Sequence, residues 1–287
     1  MSNQQRTGIT RRGFVKRLGV GGAWAALAGA LPVAARGFRP PKIGLQLYAV
    51  RGEFAQDVPG TLRRVSAAGY EGVEFWGYGG TPKVFQDYDA EQLREWLDLL
   101  GLECCGMHLQ PRALEDDRFE QTVAVNKTLG NRYLIVAAAP DRMKSPETIA
   151  AFAKWLNDRA EKARRRGMQV GYHAHGFDFV KFDGRTAWEL LFSQTSPRVL
   201  MQMDVGNCLG GGGDPIAMLR KFPGRTPTIH IKDYEDKTFE SDYYREVFRL
   251  CEQQAGTRWY IVEMGGPGGR GFAIPVEARQ RLHWLGK

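Results

Sequence analysis

The run Tyr172-His173-Ala174-His175-Gly176-Phe177-Asp178-Phe179 places two imidazoles two residues apart at the end of an apolar segment. Three later fragments repeat the arrangement: Gln202-Met203-Asp204, Ile229-His230-Ile231-Lys232-Asp233 and Ile261-Val262-Glu263. Each closes a short apolar run of strand character with a His, an Asp or a Glu. Mixed imidazole and carboxylate donors suit Mn²⁺, Fe²⁺, Co²⁺ or Zn²⁺. The chain has no thiolate cluster of the kind that ties a structural zinc. His173, Asp204, His230 and Glu263 are therefore the expected ligands of one divalent ion, one from each of four successive strands. Manganese is the first expectation, with zinc, cobalt or iron as alternatives. Taken singly, each residue also has a plainer reading. A barrel histidine is often a hydrogen-bonded core group, Asp204 could cap a following helix, and Asp233 could be a surface loop acid. It is the set that points to a metal.

Such ligands meet only if the strands lie side by side with their ends on one face. The chain alternates strand and helix throughout. Predicted strands are Lys42–Val50, Gly72–Phe75, Glu103–Leu109, Tyr133–Ala137, Gln169–His173, Val199–Asp204, Thr228–Lys232 and Trp259–Glu263. Predicted helices are Val58–Ala68, Ala90–Leu100, Asp116–Leu129, Pro146–Arg166, Thr186–Ser193, Pro215–Lys221, Asp242–Gln254 and Val276–Leu285. In the fourth helix Ala151, Trp155 and Leu156 are expected to form one buried stripe. Glycines follow several helix ends, as at Gly101 and Gly167, where a left-handed cap favours them. Eight strand–helix units predict an α/β chain with a single closed (β/α)8 TIM barrel over residues 36–287. An open doubly wound sheet is disfavoured, because no glycine-rich dinucleotide fingerprint follows the first strand.

The C-terminal strand ends form the active face of such a barrel. Glu74 ends the second strand, His108 the third, His173 and His175 the fifth. Of the five histidines only His283 lies elsewhere. His175, two residues from His173, is expected to face the same side as an acid/base group. The tetrad Gly210-Gly211-Gly212-Gly213 reads as flexible.

Residues 1–35 read as a cleavable twin-arginine signal peptide. Thr10-Arg11-Arg12-Gly13-Phe14-Val15-Lys16 precedes a weakly apolar run from Leu18 to Leu31, and Val33-Ala34-Ala35 offers a cleavage site. The expected location is periplasmic, by the twin-arginine route. The segment holds Arg6, Arg11, Arg12, Lys16 and Arg17 and no acid, so its removal lowers the formal charge from +8 to +3. That balance argues against a nucleic-acid partner. No later segment is long and apolar enough to anchor the chain stably in a membrane. Cys104, Cys105, Cys208 and Cys251 show no paired framework and read as buried apolar residues, with a Cys208–Cys251 bond left open.

From Gly44-Leu45-Gln46-Leu47-Tyr48 to Glu263 the chain resembles the xylose isomerase-like barrel superfamily, and within it the sugar phosphate isomerase/epimerase family. The residues that carry this are Leu47-Tyr48-Ala49-Val50-Arg51, Gly69-Tyr70-Glu71-Gly72-Val73-Glu74-Phe75, the Tyr172–Phe179 run and Ile229-His230-Ile231-Lys232-Asp233. The resemblance implies a divalent ion held by strands five to eight. It implies a small-molecule sugar substrate and leaves a homo-oligomer open. Ketose epimerases of the family commonly carry a glutamate where this chain has His173, so a two-glutamate epimerase mechanism is in question. The expected reaction is isomerisation or epimerisation of a keto-sugar or related polyol through an enediolate stabilised by the ion. Glu263 is the expected base and His175 the second acid/base, with Glu74, His108 and Lys232 on substrate hydroxyls. Alternatives are a lyase of the inosose dehydratase or 3-keto-glycoside-eliminating type, an abasic-site endonuclease, and a sugar-binding barrel without chemistry.

Overall fold

The computed structural model describes residues 40–269 and 271–287. The expected signal segment lies outside the described residues. Eight parallel strands form the centre: β1 (Lys42–Gln46), β2 (Gly72–Tyr78), β3 (Glu103–Leu109), β4 (Tyr133–Val136), β5 (Gln169–His173), β6 (Leu200–Gln202), β7 (Thr228–Ile231) and β8 (Trp259–Val262). They pair in the order β6-β5-β4-β3-β2-β1-β8-β7. Between β6 and β7 the contact narrows to one parallel bridge, Asp204 with His230. There the His230 N–H donates to the Met203 carbonyl at 2.8 Å. The sheet is thus a nearly closed eight-stranded barrel whose seam falls on two of the expected ligands.

Eight helices follow the strands: α1 (Val58–Ala67), α2 (Ala90–Leu100), α3 (Phe119–Thr128), α4 (Pro146–Arg165), α5 (Ala187–Gln194), α6 (Pro215–Lys221), α7 (Asp242–Leu250) and α8 (Ala273–Trp284). Local chemistry sets their ends. Asp89 and Gln92 form a capping box at the start of α2, and Gly101 closes it in the left-handed region with φ 65°. In α4 the buried face is Ile149, Phe152, Ala153, Leu156, Ala160 and Ala163, at helical spacing. Ala151, expected in that stripe, is exposed, and Trp155 lies half-buried beside it with its indole N–H on Glu115.

Successive strand residues point to opposite faces. This stacks the barrel interior in two levels. Cys105, Tyr133, Ile135, Leu200, Trp259 and Ile261 form an apolar plug. Gly72 and Gly171 make room for it, since a Cβ at Gly72 would crowd the Trp259 ring at 2.9 Å and one at Gly171 would meet Leu200 at 2.8 Å. Two residues further along the same strands come Glu74, His173 and Gln202. With Gln46 and His230 they make a second level of buried polar side chains.

Several boundaries differ from expectation for identifiable reasons. The first strand stops at Gln46 rather than Val50, because the Gln46 side chain accepts from the Tyr48 N–H and turns the chain into a 3-10 segment, Leu47–Val50. A short helix, Arg51–Gln56, follows. α3 begins at Phe119 rather than Asp116, whose carboxylate is drawn to Arg159 and Lys162. α7 runs on past Leu250 as a π turn, Cys251–Ala255. The glycine tetrad, read as flexible, is largely packed: Gly210 ends a helix, Val205–Gly210, a Cβ at Gly211 would overlap the Gly176 carbonyl and one at Gly213 the Phe179 ring, while Gly212 faces open space. The four cysteines are buried free thiols.

Arg225 ties the approach to β7 into the loop before β6. It is buried, and its guanidinium donates to the carbonyls of Phe192, Ser196 and Val199 and to Thr195 Oγ1, at 2.7–3.1 Å. Burial pushes its pKa down to about 10, so it remains charged at neutral pH. Arg225→Ala strands those acceptors and leaves a cavity. The expected cost is about 3 kcal/mol. A lowered urea midpoint at unchanged slope checks this.

Candidate metal centre

Four side chains from the C-terminal ends of β5 to β8 converge. His173, Asp204, His230 and Glu263 each offer one ligand atom, all within 4.8 Å of one another. Donors about 2.1 Å from one ion stand at most about 4.2 Å apart, so a small closure completes the shell.

Asp204 is the most telling member. Its residue surface is 0% exposed. Oδ1 accepts from the Asn207 N–H at 2.7 Å and caps the helix that follows. Oδ2 is buried with no hydrogen-bond partner. Lys232 Nζ stands 3.0 Å away but out of hydrogen-bonding alignment, with His230 Nδ1 at 3.8 Å and His173 Nε2 at 4.0 Å. A buried carboxylate oxygen that makes no aligned hydrogen bond is costly, and the Lys232 ammonium offsets part of that cost. The donors around it, two imidazoles and a second carboxylate, fit a divalent cation.

The electrostatics agree. Burial raises the Asp204 carboxyl, with Lys232 pulling the other way. Burial would also raise Glu263, but His230 and Lys232 outweigh it and keep it ionised. Its Oε2 lies 3.1 Å from His230 Nδ1 and 3.7 Å from Lys232 Nζ. Burial alone would depress His230, yet Glu74 and Glu263 on its two nitrogens push it up to about 10. His173 is held well below the usual imidazole range, first by burial and then by His230 and His108. Lys232, expected on substrate hydroxyls, instead leans between the two carboxylates. Gly206 leaves space for its stem, since a Cβ there would meet Lys232 Cγ at 2.6 Å.

Glu74 and His108, expected on substrate hydroxyls, are enclosed among the buried polar side chains instead. Glu74 is 0% exposed. Its Oε2 accepts from Gln46 Nε2 at 2.7 Å and faces His230 Nε2 at 2.6 Å, and its Oε1 accepts from Gln202 Nε2 at 2.8 Å. His108 Nε2 is 2.7 Å from Gln202 Oε1 and 3.2 Å from Glu74 Oε2. Groups so enclosed and so fully bonded have nothing to present to a sugar hydroxyl. Asp233 is also structural, because it accepts from Arg281 at 2.6 Å and from the Phe239 N–H at 3.1 Å.

His175 sits at the rim. Its ring centroid is 4.9 Å from that of His173, it stacks on Phe177 at 5.4 Å, and its Nδ1 is buried without a partner. Burial brings its pKa down to about 4, so it is a neutral imidazole. Asp178, not foreseen as part of the site, supports it. Its carboxylate accepts from the His175 N–H at 2.8 Å and from the Tyr172 hydroxyl at 2.9 Å.

Burial raises Asp178 from 3.8 to about 7. For an acid with a raised folded pKa, the native state holds a proton that the unfolded chain gives up. Stability from this group is therefore greatest below about pH 4 and falls as pH rises toward 7. The full effect is about 4 kcal/mol. Asp178→Asn has no such slope, so the stability gap between wild type and variant should shift by up to that amount in urea titrations at pH 4 and pH 7.5.

A family model described as xylose isomerase-like TIM barrel matches residues 62–287. The rhizopine catabolism protein MocC of Rhizobium meliloti is 28% identical over 191 residues, 60% of this chain and 56% of that one. An inosose dehydratase of Clostridium tetani (strain Massachusetts / E88) is 34% identical over 126 residues, 43% of this chain and 36% of that one. The matched stretches thus span about half or less of these curated relatives. A solved sugar phosphate isomerase/epimerase from Parabacteroides distasonis ATCC 8503 superposes with a TM-score of 0.75 at 24% identity, covering 86% of this chain and 95% of the other. At that identity the likeness speaks for the fold.

Proposed function

The chain belongs to the xylose isomerase-like TIM barrel family, and from that premise we propose that it is a divalent-metal-dependent isomerase or epimerase of a keto-sugar or related polyol. The observation that carries this is the convergence of buried Asp204 Oδ2, which makes no aligned hydrogen bond, with His173, His230 and the ionised Glu263. A divalent ion held by these four residues supplies Lewis acidity toward a substrate carbonyl. The chain's own groups do the rest. Glu263 takes the proton from the carbon next to the carbonyl, and that C–H electron pair moves toward the carbonyl oxygen to give an enediolate. Lys232 adds positive charge beside it, where charge develops. His175, neutral and with a free Nδ1, exchanges a proton with the adjoining hydroxyl or with the opposite face. Return of the proton to the neighbouring carbon isomerises the sugar, and return from the other face epimerises it.

Elimination is the second reading. It is favoured by His173 standing where ketose epimerases commonly carry glutamate, and by the likeness to an inosose dehydratase. The first proton transfer is the same. The enediolate then expels a β-hydroxyl or β-alkoxyl, which takes up the proton that Glu263 removed. We extend the proposal to unphosphorylated substrates, on the export expected from the twin-arginine pattern.

The test is incubation of the Mn²⁺-loaded protein with ketohexoses, an inosose and 3-keto-glycosides in D₂O. Solvent deuterium at the carbon beside the carbonyl, with an isomer or epimer as product, is the expected result. Loss of water or of the aglycone selects elimination. No exchange with any of them contradicts enolisation altogether.

A further inference from the structure

Glu74, Gln202 and Gln46, which share the buried polar level with His173 and His230, have no place in the proton transfers, yet they are fully bonded. We infer that Gln202 and Glu74 are positioning residues that fix the ring orientations of His173 and His230, and the tautomer of His173, and so aim one nitrogen of each at the ion, His230 Nδ1 losing its proton as the ion binds. The inference rests on the metal-centre reading.

The bonding leaves little choice. Gln202 offers one oxygen and one NH₂. Two acceptors, Glu74 Oε1 at 2.8 Å and Thr228 Oγ1 at 3.0 Å, surround one end, so that end is the NH₂. The carbonyl end then faces His108 Nε2 at 2.7 Å and His173 Nδ1 at 3.1 Å, and both nitrogens must donate to it. His173 therefore carries its proton on Nδ1, and Nε2, the nitrogen toward Asp204, keeps its lone pair. On the next strand but one, Glu74 Oε2 accepts from His230 Nε2 at 2.6 Å. That fixes Nδ1 as the His230 nitrogen turned to Asp204 and Glu263. Carboxylate or carbonyl partners on the far nitrogen are how proteins commonly orient imidazole ligands.

The barrel is shaped around this carboxylate. The β2–β3 register shifts between Val73 and Glu74, and Gly106 pairs with Glu74. A Cβ at Gly106 would overlap Glu74 Oε1. Gln46, from β1, supplies the further donor to Oε2.

Two measurements test this. The first is ¹⁵N NMR of the histidine rings in the metal-free wild type. The expected result is a neutral Nδ1–H tautomer for His173, the form free imidazole side chains disfavour. An Nε2–H tautomer there overturns the inference without touching the metal-centre reading. The second is calorimetric titration with Mn²⁺ of wild type, Glu74→Gln, Gln202→Leu and Gly106→Ala, each checked for folding by circular dichroism. The expected result is a 10- to 100-fold weaker Mn²⁺ affinity in whichever variants fold, including Gly106→Ala, which removes no polar group. Wild-type affinity in a folded Glu74→Gln and a folded Gln202→Leu overturns it. If wild type binds no Mn²⁺, the metal-centre reading fails and takes this inference with it.

Discussion

Asp204→Asn should leave the barrel folded and abolish most of its affinity for a divalent ion. The two carboxylate oxygens of Asp204 do separate jobs: Oδ1 caps the helix Val205–Gly210 through the Asn207 N–H, and Oδ2 faces the other ligands with no hydrogen bond. Asparagine caps helices as well as aspartate does, so its carbonyl keeps the first job. Its NH₂ cannot perform the second, because a nitrogen that donates does not bind a cation. Loss of an outer-shell partner already costs 10- to 100-fold in affinity, so loss of the ligand itself should weaken Mn²⁺ binding by about 100-fold or more. Titration calorimetry reads the affinity and a urea midpoint reads the fold. Undiminished affinity in a folded variant would remove Asp204 from the centre.

Glu263→Gln should separate binding from chemistry. The glutamine keeps a carbonyl oxygen for the ion but can no longer take a proton. General acid–base groups contribute about 10²- to 10⁴-fold, or about 3–5 kcal/mol of barrier. Solvent exchange at the substrate carbon should fall by that factor while Mn²⁺ affinity falls by much less. Equal losses in both would make Glu263 a ligand alone and move the base to His175.

Much of this was readable from residues alone, because the alternation of eight apolar strands with capped helices follows local rules that packing did not overturn. The four ligand candidates were visible for the same reason: each ends a strand, and strand ends in such a barrel share a face. What escaped notice lies two residues earlier along the strands. Gln46 and Gln202 follow from period-two alternation, Gln202 preceding Asp204 by two on β6. A glutamine in a strand, however, carries no chemistry of its own and reads as a polar filler. The helix Val205–Gly210 was hidden by the glycines after it: Gly211 lies too close to the Gly176 backbone for a side chain, Gly212 has a positive φ, and Gly213 packs against Phe179 and Cys208. The early end of β1 depends on one side-chain cap, Gln46 to the Tyr48 N–H, which no periodicity announces. Asp178 looked like part of the His175 motif, but its service to the His175 backbone appears only once the 3-10 turn Gly176–Phe179 is formed.

The most direct test of the metal centre is elemental analysis of the purified, folded protein, alongside Asp204→Asn prepared identically. One divalent ion of Mn, Fe, Co or Zn per chain in the wild type, absent from the variant, is the predicted result. No bound ion in the wild type, even after loading with Mn²⁺ and removal of the excess, would contradict the centre and leave a sugar-binding barrel without enolising chemistry.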